Sequence, residues 1–98
     1  MTTFVRIVTG QLKSATLDEG VRTFNEQVTP NLKNQPGYKT SELLVNHTTG
    51  KMASVSHFAT EADAQAVGQA GLKERVAMIE PFLDGPTQLE IYEVQARS

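Results

Sequence analysis

The order of its periodic segments constrains this chain more than any other feature: strand, helix, strand, strand, helix, strand. Side chains alternate across a strand but return to one face of a helix every three or four residues, so the two periods separate the elements. Residues 4–12 (Phe-Val-Arg-Ile-Val-Thr-Gly-Gln-Leu) are rich in β-branched side chains and predict a first strand. Leu17, Val21, Phe24, Val28 and Leu32 then form the apolar stripe of a helix. Thr16 and Glu19 have the spacing of a capping box at its start. Pro30 lies inside the stripe and should kink or shorten the last turn, and Pro36-Gly37 ends it. Residues 38–46 and 51–59 predict two strands, joined as a hairpin by Asn46-His47-Thr48-Thr49-Gly50. Thr60 is the expected cap of a second helix, with Glu61 and Asp63 in its first turn. Gly68 and Gly71 each cost about 1 kcal/mol against Ala in a helix interior. They predict a break, with a second helical piece running to about Phe82. Asp84-Gly85-Pro86 turns the chain into a last strand over 87–95. No linker or repeat intervenes, so residues 1–98 read as a single α+β domain. Its expected form is a ferredoxin-like βαββαβ unit with a four-stranded antiparallel sheet.

Composition excludes several function classes. The net charge is −2, and the nine Lys and Arg are scattered singly, so no basic face is available to a nucleic acid. No apolar run approaches the ~20 residues of a membrane span, and no membrane partner is expected. Cysteine is absent, which removes disulfides, thiolate metal sites and Cys nucleophiles together. That absence, with an N-terminus entering a strand pattern without a signal-peptide core, makes the cytoplasm the expected location.

The strand faces predict the assembly. One set of alternate positions collects Val5, Ile7, Leu43, Val45, Ala53, Val55, Leu89 and Ile91, an aliphatic doublet from every strand. This set is expected to pack on the helices. The opposite set mixes Phe4, Arg6, Val8, Tyr38, Glu42, Leu44, Met52, Ser54, Ser56, Phe58, Glu90, Tyr92 and Val94. Two helices cover only one face of a four-stranded sheet, and a solvated second face would be mostly polar. An apolar second face predicts a homodimer formed sheet to sheet, with its polar groups lining a cavity for a small molecule.

Arg6 is the leading catalytic candidate, because a guanidinium can hold a carboxylate, phenolate or enolate through charge-assisted hydrogen bonds. Its alternative role is an ion pair with Glu42 or Glu90. Tyr92, also a catalytic candidate, and Ser54 and Ser56 could hydrogen-bond a substrate or serve as interface polar groups. Phe4, Leu44, Met52 and Phe58 complete the expected substrate-binding set as apolar walls. His47 falls in the hairpin loop and His57 at a strand end, too isolated for a metal signature. No phosphate-cradling Gly-rich loop occurs, so neither metal, flavin nor other cofactor is expected.

The segment from Pro30 through Pro36-Gly37-Tyr38 and Leu43-Leu44 to Thr49-Gly50, and the junction Phe58-Ala59-Thr60-Glu61-Ala62-Asp63-Ala64, resemble the antibiotic biosynthesis monooxygenase-like (ABM) family. The resemblance spans nearly the whole chain and implies a dimeric α+β barrel. It further implies cofactor-independent monooxygenation of a quinol-like or polycyclic aromatic molecule. In that chemistry Arg6 would stabilise the substrate anion while Ser54, Ser56 and Tyr92 orient it. Family members often carry a Trp where Phe58 stands and His in the second helix. This chain has no Trp and no His after His57, which argues against the haem-degrading branch. Those departures favour the alternative of a non-catalytic ligand-binding or stress-associated accessory dimer.

Overall fold

The computed structural model describes residues 3–67 and 71–96. Strands β1 (Phe4–Gln11), β2 (Tyr38–Val45), β3 (Lys51–Phe58) and β4 (Gln88–Glu93) form one antiparallel sheet in the order β2-β3-β1-β4. Helices α1 (Leu17–Thr23), α2 (Thr29–Lys33), α3 (Glu61–Val67) and α4 (Leu72–Ile79) lie in the two crossovers. This is the ferredoxin-like α+β arrangement. None of the described helices is long and apolar enough to cross a membrane.

The disturbance expected at Pro30 takes the form of a π turn over Phe24–Val28, between α1 and α2. Pro30 has no N–H to donate one turn back, and its ring crowds the carbonyl of Glu26. Widening the preceding turn relieves both problems, and the helical path continues to Lys33. The expected capping box is not formed. A 3₁₀ turn over Ser14–Thr16 leads into α1, and the Thr16 hydroxyl makes no cap bond.

At the second crossover Thr60 Oγ1 accepts from the Asp63 amide at 3.1 Å, the expected cap. Thr60→Ala should lower unfolding free energy by about 1 kcal/mol in urea titration, with an unchanged slope. An unchanged midpoint would show that this bond does not hold the helix start. Gly71, at φ +76°, opens α4 and accounts for the break between the helical pieces; Gly68 lies outside the described residues. The hairpin closes as expected, with Asn46 Oδ1 accepting from the Thr48 and Thr49 amides and Gly50 at φ +79°.

The sheet corrects the expected division of faces. Phe4, Arg6 and Val8 stand opposite Phe58, Ser56 and Ser54 across β1 and β3, and Gly10 opposite Met52. Met52 and Phe58 belong to the core with Phe24, Val28 and Leu32 of the first crossover and Val67 and Ile79 of the second. The two central strands therefore turn their mixed set toward the helices, and Val5, Ile7, Ala53 and Val55 away from them. The edge strands follow expectation at Leu43 and Val45, which pair with Ser54 and Met52 on the helix side, and at Ile91, which pairs with Arg6. They do not at Tyr38, which a register shift before Thr40 places against the core beside Phe58. Volume decides the orientation. Phe58 and Met52 are too large to leave bare and fill the space under the helices, whereas Val and Ala make a smoother outer surface.

Candidate functional site

Between the helices and the middle of the sheet lies a cavity of about 30 Å³. Its floor is Arg6 and Val8 of β1 with Met52 and Ser54 of β3. Its roof is Phe24 and Val28 of the π turn, Leu32 of α2, and Leu72, Arg75, Val76 and Ile79 of α4. A wider hollow of about 700 Å³ opens near the hairpin, and Lys51 is the only charged side chain lining it. The small cavity is the one in which chemistry is concentrated.

Both arginines there are buried, Arg6 to 2 % and Arg75 to 3 % exposure. Arg75 is anchored: Nη1 donates to Asn31 Oδ1 at 2.8 Å, and Nη2 donates to the Val67 carbonyl. It thereby ties α2, α3 and α4 together. Arg6 is not anchored. Its Nε and Nη2 meet no acceptor among the described residues, and neither does the buried hydroxyl of Ser56, its partner across the strands. The expected alternative of an ion pair with Glu42 or Glu90 fails for a geometric reason. Glu42 stands opposite Val55 and Glu90 opposite Ile7, both on the far face of the sheet. Among the described residues the only contact between a basic and an acidic side chain within 4 Å joins His57 Nε2 to Glu42 Oε1 at 3.4 Å, on that far face.

Burial, and to a lesser degree the charge of Arg75, lowers the Arg6 pKa from the usual guanidinium range to about 10. Burial also lowers that of Arg75, partly offset by Glu74. Two cations in one apolar enclosure without a carboxylate are costly, and a bound anion would remove the cost. The lining contains no carboxylate, imidazole or phenol, so the cavity can stabilise an anion but supplies no general base of its own.

The sequence-predicted site residues divide between the two faces. Arg6, Ser54 and Met52 line the cavity, and Ser56, Phe58 and Phe4 share its side of the sheet. Leu44 and Tyr92 are on the opposite face, 53 % and 50 % exposed, opposite Ala53 and Val5. Tyr92 therefore cannot act in the same enclosure of one protomer as Arg6, which corrects their expected pairing. Arg75 is the residue that sequence reasoning missed. Its signal was present, since Leu72, Arg75, Val76 and Ile79 form one stripe with a charge in the middle of it.

No protein-family model matches the chain, and no curated protein matches it. Solved structures do. A Nitrosomonas europaea protein of unknown function aligns with a TM-score of 0.79 at 20 % identity, over 100 % of this chain and 94 % of its own. The monooxygenase from the gene ActVA-Orf6 of Streptomyces coelicolor, solved with nanaomycin D, aligns at 0.74 and 17 % identity, over 99 % and 91 %. A second Nitrosomonas europaea protein, provisionally named an antibiotic biosynthesis monooxygenase, aligns at 0.76 and 16 %, over 95 % and 90 %. This chain has the fold of the antibiotic biosynthesis monooxygenases.

Proposed function

We propose that this protein is a homodimer whose protomers each bind an aromatic small molecule in the helix–sheet cavity and oxygenate it without a cofactor. The observation that carries the reading is the pair of buried guanidinium groups, one of them unpartnered, in an otherwise apolar enclosure. A phenol or quinol entering there would lose its proton readily. Each cation at about 5 Å contributes about 3 kcal/mol to the anion at an effective dielectric of 20, or roughly 2 units of acidity. The proton leaves to water, so no side-chain base is required. The electron-rich anion is then the sole reductant of O₂. One oxygen atom becomes a new ring carbonyl, and the other leaves as water with the hydroxyl and ring hydrogens. Met52, Phe24, Val28 and Leu32 keep other water out.

A polycyclic substrate needs more room than about 30 Å³, so binding on this reading widens the cavity between the π turn and α4. The absence of a base from the lining favours a second reading, a dimer that binds such ligands without turning them over. Oxygen uptake over a panel of hydroquinones and polycyclic phenols separates the two. Arg6→Gln is expected to lower uptake about 100-fold, as losing one donor to a developing anion commonly does. Ser54→Ala should lower it about fivefold, the loss of one neutral hydrogen bond. No uptake with any substrate would leave binding without turnover as the function, and full uptake by a folded Arg6→Gln would show that turnover does not depend on Arg6.

The far face of the sheet supplies the dimer contact. Ile7 and Val55 form its centre beside the buried Val5, with Leu44 and Tyr92 bare at its flanks, and these four do not pack in the core cluster. A second copy presents the same apolar surface across a two-fold axis and covers it.

A further inference from the structure

The unpartnered atoms of Arg6 specify the ligand's chemistry more closely than charge alone. Nε and Nη2 lie on the same edge of the guanidinium, so their N–H bonds run side by side, and Arg6 is one of the side chains that line the cavity. We propose that the ligand carries a carboxylate, whose two oxygens accept from Arg6 Nε and Nη2 together. This rests on the reading that the cavity is the ligand site, and not on oxygenation.

Three features support a carboxylate over a neutral or single-oxygen head. A lone phenolate oxygen satisfies one of the parallel donors well and the other poorly, whereas a carboxylate matches both. The Ser56 hydroxyl, buried and unpartnered directly across from Arg6, supplies a third donor of the kind a carboxylate's remaining lone pairs accept. Arg75 has two of its nitrogens committed to Asn31 and Val67, so it acts as a fixed second charge rather than a competing clamp. The head group enters as the cavity of about 30 Å³ widens around Arg6, whose Nε and Nη2 are sealed in the unliganded chain, with the rest of the ligand reaching past Val28 and Val76. The ligand class narrows accordingly, from aromatic molecules in general to aromatic carboxylic acids.

The test uses the full-length ¹⁵N-labelled protein at pH 7 and follows the arginine Nε–H resonances by NMR. Benzoate and 2-naphthoate should move the Arg6 resonance downfield and saturably, binding at least tenfold tighter than benzamide and 2-naphthamide. Arg6→Lys keeps the charge but loses the parallel donors, and should weaken benzoate at least tenfold. Amides binding as tightly as the acids, an Arg6→Lys as effective as wild type, or chloride shifting the resonance as benzoate does would each overturn the proposal. Should Arg6→Lys not fold, the acid–amide comparison on the wild type decides alone. A carboxylate response without oxygen uptake would sink the oxygenase reading and leave this one standing. Uptake with neutral quinols and no carboxylate response would do the reverse.

Discussion

Arg6→Met is expected to make the protein more stable while removing its ability to hold an anion. Most core substitutions destabilise, so a gain here is diagnostic. The folded chain keeps an unpartnered guanidinium at 2 % exposure, with a second cation lining the same cavity. Its pKa falls from the usual guanidinium range to about 10, which corresponds to about 3 kcal/mol against the charged form. The sign follows from where each state holds its proton. Between about pH 10 and the usual guanidinium range the unfolded chain binds it and the folded chain does not, so stability gained from this group rises with pH in that window. Below about pH 10 both states are charged, and the whole penalty is present at neutral pH. Methionine has a similar reach, no charge and apolar neighbours in Val8, Met52 and Ile79. Relief of about 1–3 kcal/mol should raise the melting temperature by roughly 5–15 °C in a domain of this size. Scanning calorimetry at pH 7 measures it. A lower melting temperature for Arg6→Met would mean that the guanidinium is satisfied in solution and that the cavity is not poised for an anion. The exchange of stability for a charged, dry site is the usual signature of a binding centre.

Val55→Asp is expected to split the proposed dimer and leave the protomer folded. Val55 lies mid-strand on the far face, opposite Ile7 on one side and Glu42 on the other. A carboxylate there would be buried against the second copy without a partner and beside an existing acid. That costs about 3 kcal/mol or more, at least a 100-fold rise in the dissociation constant. Sedimentation at micromolar concentration should show the wild type at twice the 10.7 kDa chain mass and the variant at the single-chain mass, with unchanged far-ultraviolet circular dichroism. A variant that stays dimeric would place the interface elsewhere. Met52 and Phe58, which the strand alternation assigned to this contact, belong to the core, with Phe58 fully buried. Phe58→Asp should therefore unfold the chain rather than divide it.

The contrast between Val55 and Phe58 marks the boundary of what the residues convey by themselves. Alternation shows that two residues share a face of one strand, but a one-residue choice exchanges the faces, and both faces of β1 and β3 are apolar enough to be buried. The edge strands were legible because Leu43 and Val45 alternate with Glu42, and Ile91 lies between Glu90 and Tyr92, whereas Val5 and Ile7 alternate with Phe4 and Val8. The site was half legible for a related reason. Arg6 is conspicuous as a charge within a strand of apolar residues. Arg75 sits in a helix with Lys73 and Glu74 beside it, and only its place in the stripe of Leu72, Val76 and Ile79 sets it apart from them. The capping box at Thr16 misled because a 3₁₀ turn, a local alternative of similar energy, absorbs the residues that would have formed it.

The element order, the hairpin at Asn46–Gly50, the Thr60 cap and the break at Gly71 were determined by the sequence. Each rests on a local rule about turns, caps or periodicity that holds before any tertiary contact forms. Only the tertiary structure decided which face of the central strands meets the helices. That choice depends on filling a shared volume with Phe58, Met52, Phe24 and Ile79 at once. The same packing brought Arg75, remote in sequence from Arg6, over it in a dry enclosure and put Glu42 and Glu90 out of reach on the other side of the sheet. The unpartnered charge at the centre of this protein is thus a consequence of topology, which no single segment of the chain encodes.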